Sequence, residues 1–271
     1  MYSNHYPTMT SLYWLVLLLV ITTALSLIFF LNYNYYRSQI KQKGSFGSWP
    51  IKPISLPEVD PIFHVDEFGP THDTQVEFIG RGHLIVPGGT SDAEAWVLAV
   101  LAKKAKRIFE FGTCTGKTSY LMALNSPSDT QVVTLTLPPD QVNHYTVDPV
   151  DSKSATRNAL NESSFTRFLY TGTPVEKKIT QLYGDSKHFD EAPYERKVDL
   201  IFVDGSHALS FVYSDSEKAF KMVSDGGLIL WHDYRGPYLN KDVYKALNRL
   251  SKEKPLAHIE GTSFIVFRNK R

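Results

Sequence analysis

Residues 107–118 read RIFEFGTCTGKT, a short apolar run that breaks into a turn carrying two glycines. Arg107 to Phe111 suits a strand, and Lys117 to Asn125 has the composition of a helix. Between them Gly112 and Gly116 allow a tight turn and a close approach of the backbone to a ligand, with Glu110 as an acceptor beside it. Strand, glycine turn and helix in that order open an α/β sheet that binds ligands at the carboxyl ends of its strands. A bare connection would need one glycine, so the spaced pair with an acid predicts a nucleotide-like ligand.

The same alternation continues outward from this stretch. Gln131 to Leu137, Ile179 to Tyr183, Val198 to Val203 and Leu228 to Trp231 read as further short strands. Helical stretches run near Phe211 to Val223 and Lys241 to Lys252. Ala257 to Glu260 and Ser263 to Arg268, turning at Gly261, predict an antiparallel hairpin. Upstream, Ser91 followed three residues later by Glu94 is a capping box for an apolar helix through Leu101. The predicted fold class is therefore α/β: a doubly wound, mostly parallel sheet with a C-terminal antiparallel hairpin. The segment from Asn143 to Tyr170 is longer than an ordinary connection and reads either as a substrate lid or as a structural insertion.

Gly116-Lys117-Thr118 invites a phosphate-loop reading, with Asp204 as the acid of a nucleotide triphosphatase. Counting argues against it. Four residues must separate the first glycine from the Gly-Lys pair, and here only Thr113, Cys114 and Thr115 intervene. The G-x-G-x-x-G dinucleotide fingerprint is not found in this turn either.

Glu110-Phe111-Gly112-Thr113 with Gly116 resembles the first motif of class I S-adenosylmethionine (SAM)-dependent methyltransferases, and the similarity runs from about Ser91 to Arg268. Three later stretches match in order. Residues 179–186, ITQLYGDS, resemble the segment whose acid, here Asp185 followed by Ser186, contacts the adenine amino group. Residues 198–207, VDLIFVDGSH, resemble the fourth-strand motif beneath the transfer site, and 226–234, GGLILWHDY, the fifth-strand motif. The wording is closest to a small-molecule O-methyltransferase branch related to cephalosporin-biosynthesis and sugar-modifying enzymes. The resemblance implies a Rossmann-like methyltransferase fold, SAM as cofactor, and cofactor contacts from Glu110, Gly112, Thr113, Gly116, Thr136, Asp185, Ser186 and Asp204. One departure stands out. Thr136 occupies the end of the second strand, where the family places an acid on the ribose hydroxyls, and a threonine hydroxyl lacks the bidentate, charge-assisted geometry of a carboxylate.

Asp204, His207, His232 and Asp233 follow adjacent predicted strands and should converge as the catalytic group. A histidine suits proton abstraction near neutral pH. Resemblance to catechol-type O-methyltransferases implies that Asp204, His232 and Asp233 occupy positions that hold a divalent ion such as Mg²⁺ against a hydroxyl pair, although His232 replaces what is more often a carboxylate. Cys114, the sole cysteine, reads as a small residue of the turn, and its solitude excludes a disulfide framework.

Residues 11–31, SLYWLVLLLVITTALSLIFFL, carry no charge over 21 positions, enough to cross a hydrocarbon layer of about 30 Å. Tyr13 and Trp14 at one end, and Tyr33, Tyr35 and Tyr36 at the other, suit the two interfaces. Arg37, Lys41 and Lys43 follow the span and none of the first ten residues is Lys or Arg, so the following domain is expected on the cytoplasmic side. The sequon Asn161-Glu162-Ser163 would be glycosylated only with the opposite topology in a eukaryotic secretory lumen. The expected organisation is a short extracytoplasmic segment 1–10, a transmembrane helix 11–31, a Pro/Gly-rich linker 32–75 that packs through Trp49, Phe63 and Phe68, and a methyltransferase domain 76–271. A net charge of +1, from 29 basic and 28 acidic residues, gives nucleic acid no purchase. The expected function is SAM-dependent O-methylation of a small hydroxylated molecule, glycosidic or lipid-linked. The rivals are a membrane-tethered scaffold that keeps the fold without turnover and, third, a phosphate-loop nucleotidase.

Overall fold

The computed structural model describes residues 9–43, 49–78 and 88–270, and the chain divides into two compact units, Met1–Ser45 and Phe46–Arg271. The first unit is the helix α1 (Met9–Lys43). Within it Leu12–Asn34 has a mean hydropathy of 2.7 and no side chain buried by protein, so it is long and apolar enough to cross a membrane. Its two threonines return their hydroxyls to the backbone, Thr22 to Leu18 O at 3.0 Å and Thr23 to Leu19 O at 2.7 Å, so that neither is a bare donor on the apolar surface. Tyr13, Trp14 and Tyr33 are exposed; the side chains of Tyr35, Tyr36, Arg37, Lys41 and Lys43 lie outside the described residues.

The second unit opens with short pieces, as its prolines require: β1 (Pro53–Ile54), α2 (Leu56–Val59) and the small hairpin of β2 (Val65–Asp66) and β3 (Gly69–Pro70). Then come α3 (Asp92–Ala102), β4 (Arg107–Phe111), α4 (Lys117–Asn125), β5 (Gln131–Thr136), α5 (Lys153–Glu162), β6 (Ile179–Tyr183) and β7 (Val198–Val203). The chain ends with α6 (Leu209–Met222), β8 (Val223–Trp231), α7 (Lys241–Leu250), β9 (Ala257–Ile259) and β10 (Ile265–Arg268). Eight strands form one sheet in the order β1-β9-β10-β8-β7-β4-β5-β6. β8, β7, β4, β5 and β6 are mutually parallel, whereas β10 is antiparallel to β8 and β9. This is the doubly wound sheet with an antiparallel ending.

Alternation along the central strands divides the core. Phe109, Phe111, Ile201, Val203 and Trp231 face one side, against α6 and α7, while Ile108, Val132, Leu200, Phe202 and Leu230 face the other, against α3 and α4. The buried Trp231 indole donates to Ser216 Oγ at 2.8 Å, so its polar edge is satisfied. The proline-rich segment is fastened to this body. Asp60 pairs with Lys104 at 2.8 Å and Arg268 at 2.9 Å, Phe63 is buried, and the Trp49 ring meets Tyr234 edge-on at 5.0 Å. Phe68 departs from expectation: it is 89% exposed on the tip of the small hairpin, where no core residue reaches it. β8 also begins at Val223, earlier than the apolar run suggests: Val223 pairs with Val198 of β7, and the register shifts before Leu228 meets Leu200.

The turn after β4 shows why its glycines are needed. Gly112 has φ +99°, and a Cβ there would stand 2.7 Å from Gly205 Cα and closer still to the Asp204 carbonyl. Gly112→Ala is therefore expected to destabilise the domain by about 3 kcal/mol or more, through both the left-handed backbone and the clash between β4 and β7. Chemical denaturation checks this, with Gly172→Ala as a control that shares a positive φ of +79° but has nothing within 4 Å.

Candidate active site

The carboxyl ends of the parallel strands meet at two adjoining hollows. The larger contains about 530 Å³ free of protein atoms and is walled by Thr136 and Leu137 after β5, Asp185 and Ser186 after β6, and Phe111 and Leu135 below. Tyr145 and Phe211 close one side as a stacked pair, with ring centroids 4.5 Å apart. The smaller, about 420 Å³, lies between the turn after β4, the segment Gly88–Thr90, and the ends of β7 and β8, with Lys117, His207, His232 and Asp233 in its wall. Gly112, Cys114, Glu162 and Asp204 border both hollows.

A fully buried imidazole organises the smaller hollow. His232 directs Nδ1 at Asp204 Oδ1 (2.9 Å), with Asp233 Oδ2 at 3.6 Å, and Nε2 at Glu94 Oε2 (3.4 Å). Burial disfavours its charge, but Asp204 and Asp233 outweigh that and raise its pKa well above the ordinary value. Both nitrogens therefore donate. Asp233 in turn receives His207 Nε2 at 2.7 Å and pairs with Arg235 Nε at 2.8 Å. Burial opposes the His207 charge too, yet Asp233 carries its pKa up to about 9. Asp233 is held ionised by the two imidazoliums despite its burial.

Glu94 does more than cap a helix. One carboxylate oxygen accepts from Ser91 N and Oγ at 2.9 and 2.8 Å, completing the predicted capping box, while the other accepts from Ser263 N and Oγ, both at 2.7 Å. It thus ties α3 to the turn between β9 and β10 and closes the far side of His232. Burial works against its charge, but His232 and the serine donors keep its pKa below the usual range.

The structure brings Asp204, His207, His232 and Asp233 together, and sets Thr136, Asp185, Ser186 and Gly112 on the larger hollow. Asp185 Oδ1 accepts from Lys187 N and Oδ2 from Thr146 N, both at 2.8 Å. Thr113 borders the smaller hollow, but its hydroxyl is engaged with Thr134 Oγ1 at 2.7 Å and Gln181 Nε2 at 3.1 Å. Glu110 and Gly116 border neither. Glu110 is entirely buried and accepts from the hydroxyls of Thr118, Ser119 and Thr134, with burial pushing its pKa up to about 7. Its place is that of an internal strut. Gly116 is needed because a Cβ would meet the Tyr170 ring at 2.7 Å, a packing reason rather than a ligand's approach. Lys117, which invited the phosphate-loop reading, gives its ammonium to Thr90 O at 2.8 Å.

Sequence reading missed Glu94 and Glu162 as site residues. Glu94 was hidden by its capping role. Glu162 lies inside the sequon of a segment with no strand or motif to anchor it, and nothing local marks it.

Asp204, His232 and Asp233 offer ligand atoms within 4.8 Å of one another, close enough for one ion. The donor chemistry does not fit one. Both nitrogens of His232 are committed to carboxylates, and three cations, His207, His232 and Arg235, already face the three acids Glu94, Asp204 and Asp233. A divalent ion would have to displace protons that this arrangement binds tightly.

A family model described as a methyltransferase domain matches residues 109–234. No curated protein matches the chain. Among solved structures, similar ones include the O-methyltransferase TomG of Streptomyces achromogenes, crystallised with SAM (17% identity, 68% of this chain and 82% of that one, TM-score 0.46). Others are a methyltransferase of Podospora anserina bound to S-adenosylhomocysteine (18%, 67% and 80%, TM-score 0.46) and an O-methyltransferase of Bacillus cereus in complex with S-adenosylhomocysteine (14%, 67% and 82%, TM-score 0.44).

The His207–Asp233 pair makes a signed prediction. A histidine whose folded pKa is raised from 6.5 to about 9 contributes stability that is fully present below pH 6.5 and is lost as pH rises through 9. The melting temperature should fall by at least about 3 °C over that window. In His207→Gln scanning calorimetry should show much of this slope gone; an unchanged slope would contradict the assignment.

Proposed function

We propose that the chain, whose residues 109–234 match a methyltransferase-domain model, transfers the methyl group of SAM to a hydroxyl oxygen of a small acceptor. The observation that carries this reading is the pair of hollows meeting at Gly112, Cys114, Glu162 and Asp204. Methyl transfer from a sulfonium is an in-line displacement, so donor and acceptor must enter from two sides of one point. The adenosyl part suits the larger hollow, with Asp185 and Ser186 toward the adenine, Thr136 toward the ribose, and the Tyr145–Phe211 pair as an apolar wall. The acceptor suits the smaller, polar hollow.

In this reading His207 and His232 are fixed cations rather than bases, because His232 faces carboxylates at both ring nitrogens and His207 gives Nε2 to Asp233. Their charge favours an acceptor oxygen that is losing its proton, in a cavity where little water screens it. Asp204, turned toward both hollows, positions the hydroxyl. Cys114 is no nucleophile: burial pushes its thiol up to about 11, so it stays protonated at neutral pH. The donor chemistry described above gives a divalent ion no step.

The helix α1 supports a membrane tether, and Arg37, Lys41 and Lys43 after it support a cytoplasmic active site. An acceptor that is lipid-linked or glycosidic would then be presented close to the domain. The second reading, a scaffold without turnover, is favoured by Thr136: Asp140, the nearest acid in sequence, does not border the larger hollow.

Calorimetry separates the two, since a methyltransferase binds SAM, and absence of binding at millimolar SAM would leave the scaffold. Asp185→Ala is expected to weaken SAM binding at least tenfold without unfolding. Thr136→Asp, which restores a carboxylate at the ribose position, should tighten it by about tenfold. Chelation with EDTA should leave both binding and turnover unchanged, and dependence on added Mg²⁺ would overturn the metal-free mechanism.

A further inference from the structure

Each candidate base of the smaller hollow is already engaged. His232 and His207 are each paired with carboxylates, Asp233 lies between the two imidazoles and Arg235, and Asp204 receives His232. Glu162 differs from all of them. It is the last residue of α5, is half-buried, borders both hollows, and its carboxylate has no hydrogen-bond partner among the described residues.

Its placement is built rather than incidental. The segment before α5 is tied down at several points: Tyr145 OH meets Ser206 Oγ at 2.6 Å, Asp151 accepts from Ser210 N and Oγ at 2.8 and 2.6 Å, and Ser152 N donates to Asp242 at 3.0 Å. Ala155 and Ala159 turn the buried stripe of α5 inward, and Ser163 ends the helix by donating Oγ to Ala159 O at 2.8 Å. These contacts hold the final turn over the junction of the two hollows.

We infer that Glu162 is the catalytic residue that receives the acceptor's proton during methyl transfer, an inference that rests on the proposed function. As the hydroxyl O–H bond breaks, its proton passes to a Glu162 carboxylate oxygen and the oxygen's electron pair forms the new O–CH₃ bond. The methyl–sulfur bond breaks, and its pair stays on sulfur, giving neutral S-adenosylhomocysteine. Glu162 then returns the proton to solvent. The surroundings suit a base that works near neutrality. Burial raises the Glu162 pKa to about 7, with the cations of His207 and His232 opposing the rise and the charges of Asp204 and Asp233 adding to it. The Cys114 thiol, also bordering both hollows, is neutral there.

The test uses the full chain in detergent, wild type and Glu162→Gln, with Glu162→Asp as the conservative variant. Difference infrared spectroscopy should find, beside the carboxyls of Glu110 and Asp215 that titrate in the same range, one further carboxyl that titrates near pH 7 in the wild type and is missing from Glu162→Gln. SAM affinity should stay within about threefold. With radiolabelled SAM and octyl glucoside as the hydroxyl probe, Glu162→Gln should transfer methyl at least about 100-fold more slowly, with partial recovery in Glu162→Asp and loss of the acidic limb of the pH profile. Transfer at the wild-type rate, or a Glu162 carboxyl ionised throughout pH 5–9, would overturn the inference. If the wild type turns over none of this probe, the infrared titration decides. Failure of the wild type to bind SAM would instead defeat the proposed function, leaving the titration as a separate result.

Discussion

The site depends on one buried cation. His232 stands at the end of β8 with Asp204 from β7 on one ring nitrogen and Glu94 from α3 near the other. Glu94 also holds the turn between β9 and β10 through Ser263. One imidazole, through its two ring nitrogens, thus joins two parallel strands, the helix that precedes the sheet and the antiparallel ending. A buried ion pair of this kind adds little to stability against an apolar alternative, but removing one partner leaves a charge without water or counterion, at a cost of roughly 3–5 kcal/mol. The arrangement consequently fixes geometry more than it adds free energy.

That constraint decides what the neighbouring groups can do. With His232 charged, Asp204 is held in place at the border of the two hollows, and Asp233 is shared between His207 and Arg235. In the proposed mechanism the histidines therefore act as cations and not as bases, and both His232 nitrogens stay with carboxylates. What the chain keeps is a polar hollow with balanced charge, adjoining a larger one with an aromatic wall. The proposed two-substrate displacement uses these two compartments and their shared border.

Much of the fold was legible because its strands are short apolar runs buried on both faces, which give an unambiguous local signal from Ile108 to Phe111 and from Leu200 to Val203. The hairpin at Gly261 and the capping box at Ser91 were legible for similarly local reasons. Long-range consequences were not. The edge strand β1 pairs with β9 across some two hundred positions, and nothing in Pro53-Ile54 announces it. Gly112 and Gly116 were read as making room for a ligand, whereas the nearest obstacles to a side chain are Gly205 and the ring of Tyr170. Glu110 looked like a ligand contact because it adjoins the turn, but strand alternation turns it inward to three hydroxyls. The site itself was half legible: the acids and histidines after β7 and β8 follow strand ends, but Glu94 is accounted for locally by its capping box, and Glu162 arrives from α5, inside a segment that reads equally as lid or insertion.

The account stands most directly on the protonation of His232. Nitrogen-15 chemical shifts of its ring, measured near pH 7.5 with and without Mg²⁺, should place both nitrogens at imidazolium values and show no change on adding the ion. A neutral ring, or a nitrogen that shifts on metal binding, would contradict the arrangement from which the roles of Asp204, Asp233 and their neighbours are derived.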